Sequence, residues 1–244
     1  MRCVTFAAVA AIGTLGLSGI AGAVPTPLQN ATAVFSQGGF PVQNVIDADL
    51  NSGWADGGSG GAGDTAPNTG VFETVNDTAS GPGLGATNFV LTTDSGNFGT
   101  HTLGAFRFSA TTDSRADFAD GLASGGDVTA NWTVITPASI TSTGATTTFT
   151  IRPDGSILAG GTASERETYT INGSVPLTGI TGLRLELFED PSLPGSGPGR
   201  GPTNGNYVLF NLTADATAVV PEPAALGLLS LGGLLALRRT CRRA

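Results

Sequence analysis

The 244-residue sequence contains no lysine, and its two cysteines, Cys3 and Cys241, both lie near the chain ends. The segment between the ends therefore has no disulfide framework and must depend on its hydrophobic core for stability. Charged residues make up only 12% of the sequence, and residues 24–220 carry six arginines against 18 acidic residues. This acidic balance argues against nucleic acid as a partner, because phosphate contacts need basic clusters.

Residue types used in catalysis are also scarce. Between the ends there is one histidine, His101, and neither cysteine nor lysine, so nucleophile–base chemistry has little to build on. We expect His101 to be a surface residue at the start of a strand. Two carboxylate pairs have a spacing that sugar hydrolysis could use: Glu165 with Glu167, and Glu186 with Glu189. Such pairs arise by chance in an acidic chain, so the sequence predicts a non-enzyme, with glycoside hydrolase as the less favoured alternative.

The N-terminus has the three parts of a secretory signal. Arg2 gives a positive start, residues 4–20 form an apolar run, and Ala21 and Ala23 form an Ala-x-Ala site. We predict cleavage after Ala23, so that residues 1–23 are a signal peptide. A permanent N-terminal membrane anchor is the alternative, which the two prolines just after the site disfavour.

The C-terminus joins three features in order. Pro221, Glu222 and Pro223 precede an apolar run, and Arg238 and Arg239 begin the basic end. The run has 14 residues, which as a helix would span about 21 Å, less than the roughly 30 Å of a hydrocarbon core. The arginines predict a cytoplasmic C-terminus with the body outside the membrane.

This tail, residues 219–244, resembles the PEP-CTERM sorting signal of bacteria that make extracellular polysaccharide. The resemblance implies that an exosortase, a membrane cysteine protease, recognises the tail and cleaves near Pro-Glu-Pro. It also implies an exported protein of the cell envelope, cell surface or extracellular matrix, which the tail holds in the membrane transiently. A simple single-pass tail anchor is the alternative.

The body between the ends has the period of strands rather than helices. Apolar and polar residues alternate in five short runs: residues 103–109, 132–136, 146–151, 182–187 and 207–212. In the fourth run the three leucines share one face and Arg184 and Glu186 take the other, which predicts a half-buried strand.

Turn signals separate these runs. Pro153-Asp154-Gly155 and Asn172-Gly173 are hairpin-type signals, and residues 191–202 predict a long irregular loop. The order of residues 56–85, rich in Gly, Asp, Thr and Asn, stays open. The pattern predicts an all-β antiparallel sandwich of the jelly-roll type over residues 24–218, between an N-terminal signal helix and a short C-terminal hydrophobic helix.

An oxygen-rich segment stands out in this body. Asp47, Asp49 and Asn51 alternate and are followed closely by Ser52. Oxygen ligands two residues apart in a turn suit a hard cation such as calcium. The segment is not an EF-hand, because Ser52 stands where that loop needs glycine. The alternative is an Asx-rich turn, in which the two aspartates cap backbone N–H groups without any metal.

Residues 40–54 resemble the early segment of discoidin-type, galactose-binding-like domains. The resemblance implies an eight-stranded jelly roll whose loop often holds a structural calcium. Asp49 and Ser52 would then supply side-chain oxygens, Asp47 would orient the turn, and Trp54 would cap the core.

The same resemblance places a further calcium ligand on the last strand, where Asn211 occupies a position at which the family often has Glu. Ala48 likewise replaces the usual Gly. Residues 182–209 also resemble a pattern that recurs in secreted proteins of planctomycete-type bacteria, in modules of this jelly-roll class. Both halves of the body would then belong to one domain.

Carbohydrate, such as extracellular polysaccharide, is the ligand that both resemblances favour. Sugar rings commonly stack on exposed aromatics, yet aromatic residues are only 7% of the sequence, and Trp54 and Trp132 both lie in strand-like core contexts. The alternative is a structural component of the envelope or matrix that binds no ligand.

Overall fold

The computed structural model describes residues 23–57, 68–81, 84–96 and 99–219. These residues form twelve strands: β1 Val24–Pro25, β2 Leu28–Ala33, β3 Asn68–Thr78, β4 Ala86–Gly96, β5 Ala105–Thr111, β6 Thr133–Val134, β7 Thr136–Ser142, β8 Thr147–Ile151, β9 Ile157–Gly161, β10 Arg166–Val175, β11 Ile180–Leu187 and β12 Leu209–Val219. Three short 3-10 helices accompany them: Val42–Ile46, Arg115–Asp117 and Pro194–Ser196. The predicted signal helix and tail helix lie outside the described residues.

The strands form two antiparallel sheets. Sheet A has the order β1-β12-β4-β10-β7, and sheet B has the order β2-β3-β11-β5-β9-β8, with β6 paired to β5. Every pairing is antiparallel. The predicted fold class, an all-β antiparallel sandwich of the jelly-roll type, is confirmed.

The core lies between the two sheets and explains the leucine alternation on β11. Leu183, Leu185 and Leu187 are fully buried, and Leu91 and Ile171 meet them from sheet A at no more than 1% exposure. Burying an aliphatic side chain of this size contributes about 1.5–3 kcal/mol. All twelve strands and this core fall within residues 24–219, so that segment contains a complete sandwich.

The opposite face of β11 is not the solvated face that the alternation predicts. The connection between β5 and β6 crosses it, and the Trp132 ring lies 5.3 Å from the Arg184 guanidinium. Glu186 is only 6% exposed because Arg107 forms a two-pronged ion pair with it, at 2.8 and 3.1 Å. The strand is therefore covered on both faces, and the half-buried prediction is wrong for its polar side.

One of the two predicted hairpin turns is correct. Residues 152–156 connect β8 to β9, and Gly155 has a φ of +80°, which glycine adopts without strain. Asn172-Gly173, in contrast, lies inside β10, at a bulge against β7. A Cβ on Gly173 would lie 2.8 Å from Ile135 Cγ2, so this glycine permits a close approach of chains and not a turn.

Three of the strand connections, two of them long, leave from the same end of the sandwich. Gly96 ends β4 and pairs with Arg166 at the start of β10, while Ser95 pairs with Leu209 at the start of β12. The β2–β3, β4–β5 and β11–β12 connections therefore all leave from this end. It is the end at which the calcium-type segment and the predicted long loop lie.

Candidate functional site

The predicted calcium segment folds as a compact turn closed by its own hydrogen bonds. Asp47 Oδ1 accepts from the Asp49 backbone N–H at 2.7 Å, and Asp49 Oδ1 accepts from the Asn51 N–H at 2.9 Å. The Ser52 hydroxyl donates to Asp47 Oδ2 at 2.8 Å. Ala48 has a φ of +64°, a left-handed conformation that favours glycine.

Asn211, the fourth predicted ligand, lies beside this turn. It is on β12, and it and Ala48 both line an open groove of about 490 Å³ next to the β1–β2 connection. Its amide contacts Asp94 Oδ2 at 3.5 Å. In the described ranges, no group of three or more His, Cys, Asp or Glu side chains is placed to hold a metal.

The geometry of the turn is the one that the metal-free Asx alternative requires. The Asn51 backbone N–H, followed by its side-chain amide, lowers the pKa of Asp49, so this carboxylate stays ionised well below neutral pH. The chain thus provides anionic oxygens at the turn, and calcium binding by Asp47, Asp49, Ser52 and Asn211 stays a prediction.

Trp54, just after the turn, is a core residue. It is fully buried, and its indole N–H donates to the Phe35 carbonyl at 3.0 Å. Its ring meets that of Tyr207 edge-on, with centroids 5.4 Å apart. Its expected role in capping the core agrees with this burial.

A second, more polar cavity lies between β2, β3 and the connection that follows β5. Its volume is about 370 Å³, within the range of small-ligand sites. Its polar lining consists of Asn30, Glu73, Arg115, Asp117, Asp120 and Asp127.

Glu73 forms the buried wall of this cavity. It is 8% exposed, and its carboxylate accepts from the Gln29 amide at 3.0 Å and from the Asn30 amide at 3.1 Å. The Asn30 amide also contacts the Ala119 carbonyl. The Asn30 side chain therefore connects β3 to the β5–β6 connection. Asn30 and Ala119 both have positive φ, 48° and 64°, so the backbone is strained at both ends of this contact.

The rim of the cavity is shaped by aspartates. Asp120 accepts from the backbone N–H groups of Asp127 and Leu122, each at 3.0 Å. These bonds, that from Asp127 first, lower the pKa of Asp120. Asp117 is exposed, and its carboxylate accepts no hydrogen bond from any residue in the described part of the chain. Among the rim aspartates, Asp120 is thus fixed by the backbone, and Asp117 is free to bind.

Arg115 supplies the cation of the cavity. Its Nε–H donates to the Thr74 carbonyl at 2.9 Å, and its Nη2 lies 2.9 Å from Asp77 Oδ1. Both partners hold the guanidinium at one side of the opening. Four carboxylates therefore share the cavity with one guanidinium, and the cavity carries net negative charge.

The sequence predicted none of these cavity residues. Glu73 lies on β3, Asn30 lies 43 positions earlier on β2, and the aspartates follow β5. The only sequence signal is a concentration of acids between Asp113 and Asp127. Nothing in that stretch shows that it folds back onto β2 and β3.

One member of each carboxylate pair considered for sugar hydrolysis is held by other residues. Glu167 is 1% exposed and accepts from the hydroxyls of Ser142 at 2.7 Å and Thr147 at 2.9 Å. Arg200 faces it at 3.5 Å. Its proposed partner Glu165 is exposed, and Glu186 is held by arginine as described above. The absence of enzymatic activity stays a prediction.

His101 is more enclosed than a surface residue. It is half-buried, and its Nδ1 is buried with no hydrogen-bond partner among the described residues. Gly201 packs against the ring, since a Cβ there would lie 2.7 Å from His101 Cδ2. The His101 carbonyl accepts from the Val208 N–H at 2.8 Å, so this residue joins two of the loops at the sandwich end.

Aromatic side chains give little stacking surface. None of those within the described residues is fully exposed, and those that are partly exposed are Phe35, Phe40, Trp132, Phe149 and Phe188. Trp132 also uses its indole N–H internally, on the Val128 carbonyl at 2.9 Å.

The predicted targeting residues fall largely beyond the structure. Ala21 lies outside the described residues, as do the sorting-motif residues Pro221, Glu222, Pro223, Arg238 and Arg239. Ala23 is the first described residue and is exposed. Within the part of the chain that is described, no helix has the length and apolar character that crossing a bilayer requires.

The sequence matches no protein-family model and no curated protein. Among solved structures, the chain is similar to the family 32 carbohydrate-binding module of C. perfringens NanJ in complex with galactose, at 12% identity and a TM-score of 0.36, over 79% of this chain and 98% of that one. It is also similar to a structure of the Streptococcus pneumoniae β-galactosidase BgaA, at 12% identity and a TM-score of 0.41, over 78% of this chain and 97% of that one. Both likenesses are distant in sequence and in shape.

Proposed function

We propose that this protein is a non-catalytic carbohydrate-binding module that is exported and sorted to the cell surface or extracellular matrix. The binding site would be the polar cavity lined by Asn30, Glu73, Asp117 and Asp120. Export would use the signal peptide, and sorting would use the Pro-Glu-Pro tail and an exosortase.

The observation that carries the proposal is the preorganised polar lining of this cavity. The Glu73 carboxylate is fixed by two amides, and Asp120 is fixed by two backbone N–H groups. Sugar hydroxyls are donors as well as acceptors, and fixed carboxylates accept from them with charge-assisted strength. Because these groups are already held, little side-chain entropy is lost when a sugar binds.

The charge of the cavity indicates the class of sugar. Four carboxylates against one guanidinium would repel an acidic sugar, whereas neutral hexoses and amino sugars meet no such penalty. We therefore propose neutral or amino sugars as ligands, rather than uronic or sialic acids.

A glycan array probed with residues 24–219, followed by calorimetry on the best neutral or amino-sugar hit, tests this proposal. Asp117→Ala removes a carboxylate that stabilises no described contact, so it should leave the fold intact. It should weaken binding about tenfold or more, because a hydrogen bond to a charged group contributes roughly 1.5–3 kcal/mol. Glu165→Ala removes an exposed carboxylate that does not line the cavity. This matched control should bind as the wild type does. Binding that is unchanged in Asp117→Ala would place the sugar elsewhere.

Export and sorting are tested separately by intact-mass spectrometry of the surface or released protein. The expected mature chain begins at Val24 and ends near Pro221. A mature protein that retains residues 1–23 would contradict the signal-peptide prediction. Unchanged processing after deletion of residues 221–223 would favour the simple tail anchor.

A structural component of the envelope or matrix is the second candidate function. The enclosed aromatic side chains favour it, because no ring among the described residues is fully exposed for a sugar to stack on. An array without reproducible hits, with and without calcium, would support this candidate over the carbohydrate-binding module.

A further inference from the structure

Besides β6, which is two residues long, the two sheets have four edge strands: β1 and β7 in sheet A, and β2 and β8 in sheet B. An edge strand presents unpaired N–H and C=O groups to which another chain can add. Proteins usually block such edges with proline, bulges, very short strands, charges or a covering loop. The four edges differ in whether they carry such a device.

Three of the edges are blocked. β1 is two residues long and contains Pro25. The edge of β2 is covered, because the Ala33 N–H donates to the Leu122 carbonyl and the Gly126 N–H donates to the Ala33 carbonyl. β7 contains Pro137 and a bulge where it meets β10.

In the described part of the chain, β8 has none of these devices. Its five residues, Thr-Thr-Phe-Thr-Ile, contain neither proline nor charge, and β8 pairs only with β9 among the described strands. The Arg152 N–H donates to the Ser156 carbonyl at 2.8 Å. In an antiparallel ladder, hydrogen-bonded and non-hydrogen-bonded pairs alternate. Because Arg152 is hydrogen-bonded across the hairpin, Thr150, two residues earlier, is also bonded to β9. Phe149 and Ile151 therefore direct their backbone N–H and C=O groups to the free side of β8.

β8 lies at the end of a long uncharged stretch in an otherwise acidic protein. No charged residue lies between Asp127 and Arg152, whereas residues 24–220 carry 18 acids against six arginines. Two copies of the chain repel each other over most orientations, since like charges oppose approach. Pairing through β8 places no acidic residue of one strand opposite an acidic residue of the other. The occupant that this edge suits is therefore a second copy of the same chain.

We propose that two copies of this protein pair through β8, antiparallel and about a two-fold axis, so that sheet B continues from one copy into the other. With the axis at Thr150, Phe149 of each copy lies opposite Ile151 of the second copy. Both residues direct their free backbone groups outwards, so each such pair can exchange two hydrogen bonds. Thr150 then lies opposite Thr150 of the second copy, and the interface uses the same surface on both sides.

Light scattering coupled to size exclusion, on residues 24–219 loaded from about 10 µM to about 1 mM, covers the range of weak association. The wild type should shift towards twice the monomer mass as the concentration rises. Thr150→Glu places two carboxylates opposite each other at the axis, and like charges opposed across strands are destabilising. This variant should stay monomeric at low salt and recover part of its association at about 1 M salt, where such repulsion is screened.

Two further variants serve as controls. Thr150→Val keeps the β-branched shape without charge and should associate as the wild type does. Asn88→Glu adds the same charge to an exposed position on β4, which has a partner strand on both sides, and should also associate. A wild type that stays monomeric at every concentration would overturn the proposal, and so would a folded Thr150→Glu variant that associates like the wild type. Thermal unfolding of each variant shows whether it is folded.

Discussion

Replacing Arg200 with alanine should destabilise this protein more than any change at a surface ion pair. Arg200 is 5% exposed and lies in the long β11–β12 connection. Its guanidinium donates to the Gly160 and Gly161 carbonyls at 3.0 and 2.9 Å, to the Thr147 hydroxyl at 3.0 Å, and faces the buried Glu167 carboxylate at 3.5 Å. It joins the connection to the β8–β9 hairpin and to the start of β10.

The size of the effect follows from what the substitution leaves behind. The two glycine carbonyls are partly exposed and can be hydrated again. The Glu167 carboxylate is not exposed, so it remains as a buried charge without its cation, which costs about 3–5 kcal/mol. Three donors still hold it, the hydroxyls of Ser142 and Thr147 and the Ser164 N–H. We therefore expect a loss near the lower limit, about 3 kcal/mol.

Urea unfolding of residues 24–219 measures this loss. With a slope of about 3 kcal/mol per molar urea for a domain of this size, the midpoint should fall by about 1 M at constant slope. Asp77→Ala breaks the exposed pair with Arg115, in which the Asp77 side chain is 55% exposed, and should cost less than about 1 kcal/mol.

A second substitution distinguishes the buried charge from lost packing. Glu167→Gln in the Arg200→Ala background removes the uncompensated charge and keeps the shape of the side chain. The double variant should therefore be more stable than Arg200→Ala alone. A cost below about 1 kcal/mol for Arg200→Ala, or a double variant less stable than the single one, would refute this reasoning.

Two further predictions concern the turns. If calcium binds at the Asp47 turn, a calcium concentration 100 times the dissociation constant should add about 2.7 kcal/mol to the free energy of unfolding. A chelator should reverse this gain, and Asp49→Asn should abolish it. Identical unfolding midpoints with calcium and with chelator would show that the calcium prediction is wrong. The Ser156 hydroxyl and N–H lower the pKa of Asp154 below 3.8, so the stability that this carboxylate contributes is present above pH 3.8 and lost as the pH falls through the folded pKa. Asp154→Asn should therefore destabilise the protein at neutral pH and approach the wild type in acid, and a difference that stays constant down to about pH 2 would contradict this.

Several features of the fold could be predicted because they depend on neighbouring residues. The alternation of Leu183, Leu185 and Leu187 identifies the buried face of β11, since a strand turns successive side chains to opposite faces. The Asp47 turn is equally local, because each of its hydrogen bonds spans two to five residues. Whether such a turn also binds calcium depends on what lies opposite, and a single segment cannot show that.

Other features could not be predicted because the residues that decide them are distant in the chain. Asn172-Gly173 has the composition of a turn, yet Ile135 and Thr136 pack against Gly173 and keep it within β10. Glutamate is usually a surface residue, so the sequence around Glu167 gives no sign that it is buried. The guanidinium of Arg200, 33 positions later, offsets the cost of burying its charge.

The sequence by itself determined the class of the protein: an acidic, lysine-free chain of short alternating strands, with targeting signals predicted at both ends. Those properties follow from the amino-acid composition and from the alternation of neighbouring residues, so they can be predicted without knowing which distant residues are in contact. Only the tertiary structure decided where a ligand or a second copy could bind. The polar cavity exists because Asn30, Glu73 and Asp120 come together from separate segments, and the free edge of β8 exists because sheet B ends there. Both are consequences of strand pairing over long sequence separations, which local pattern does not encode.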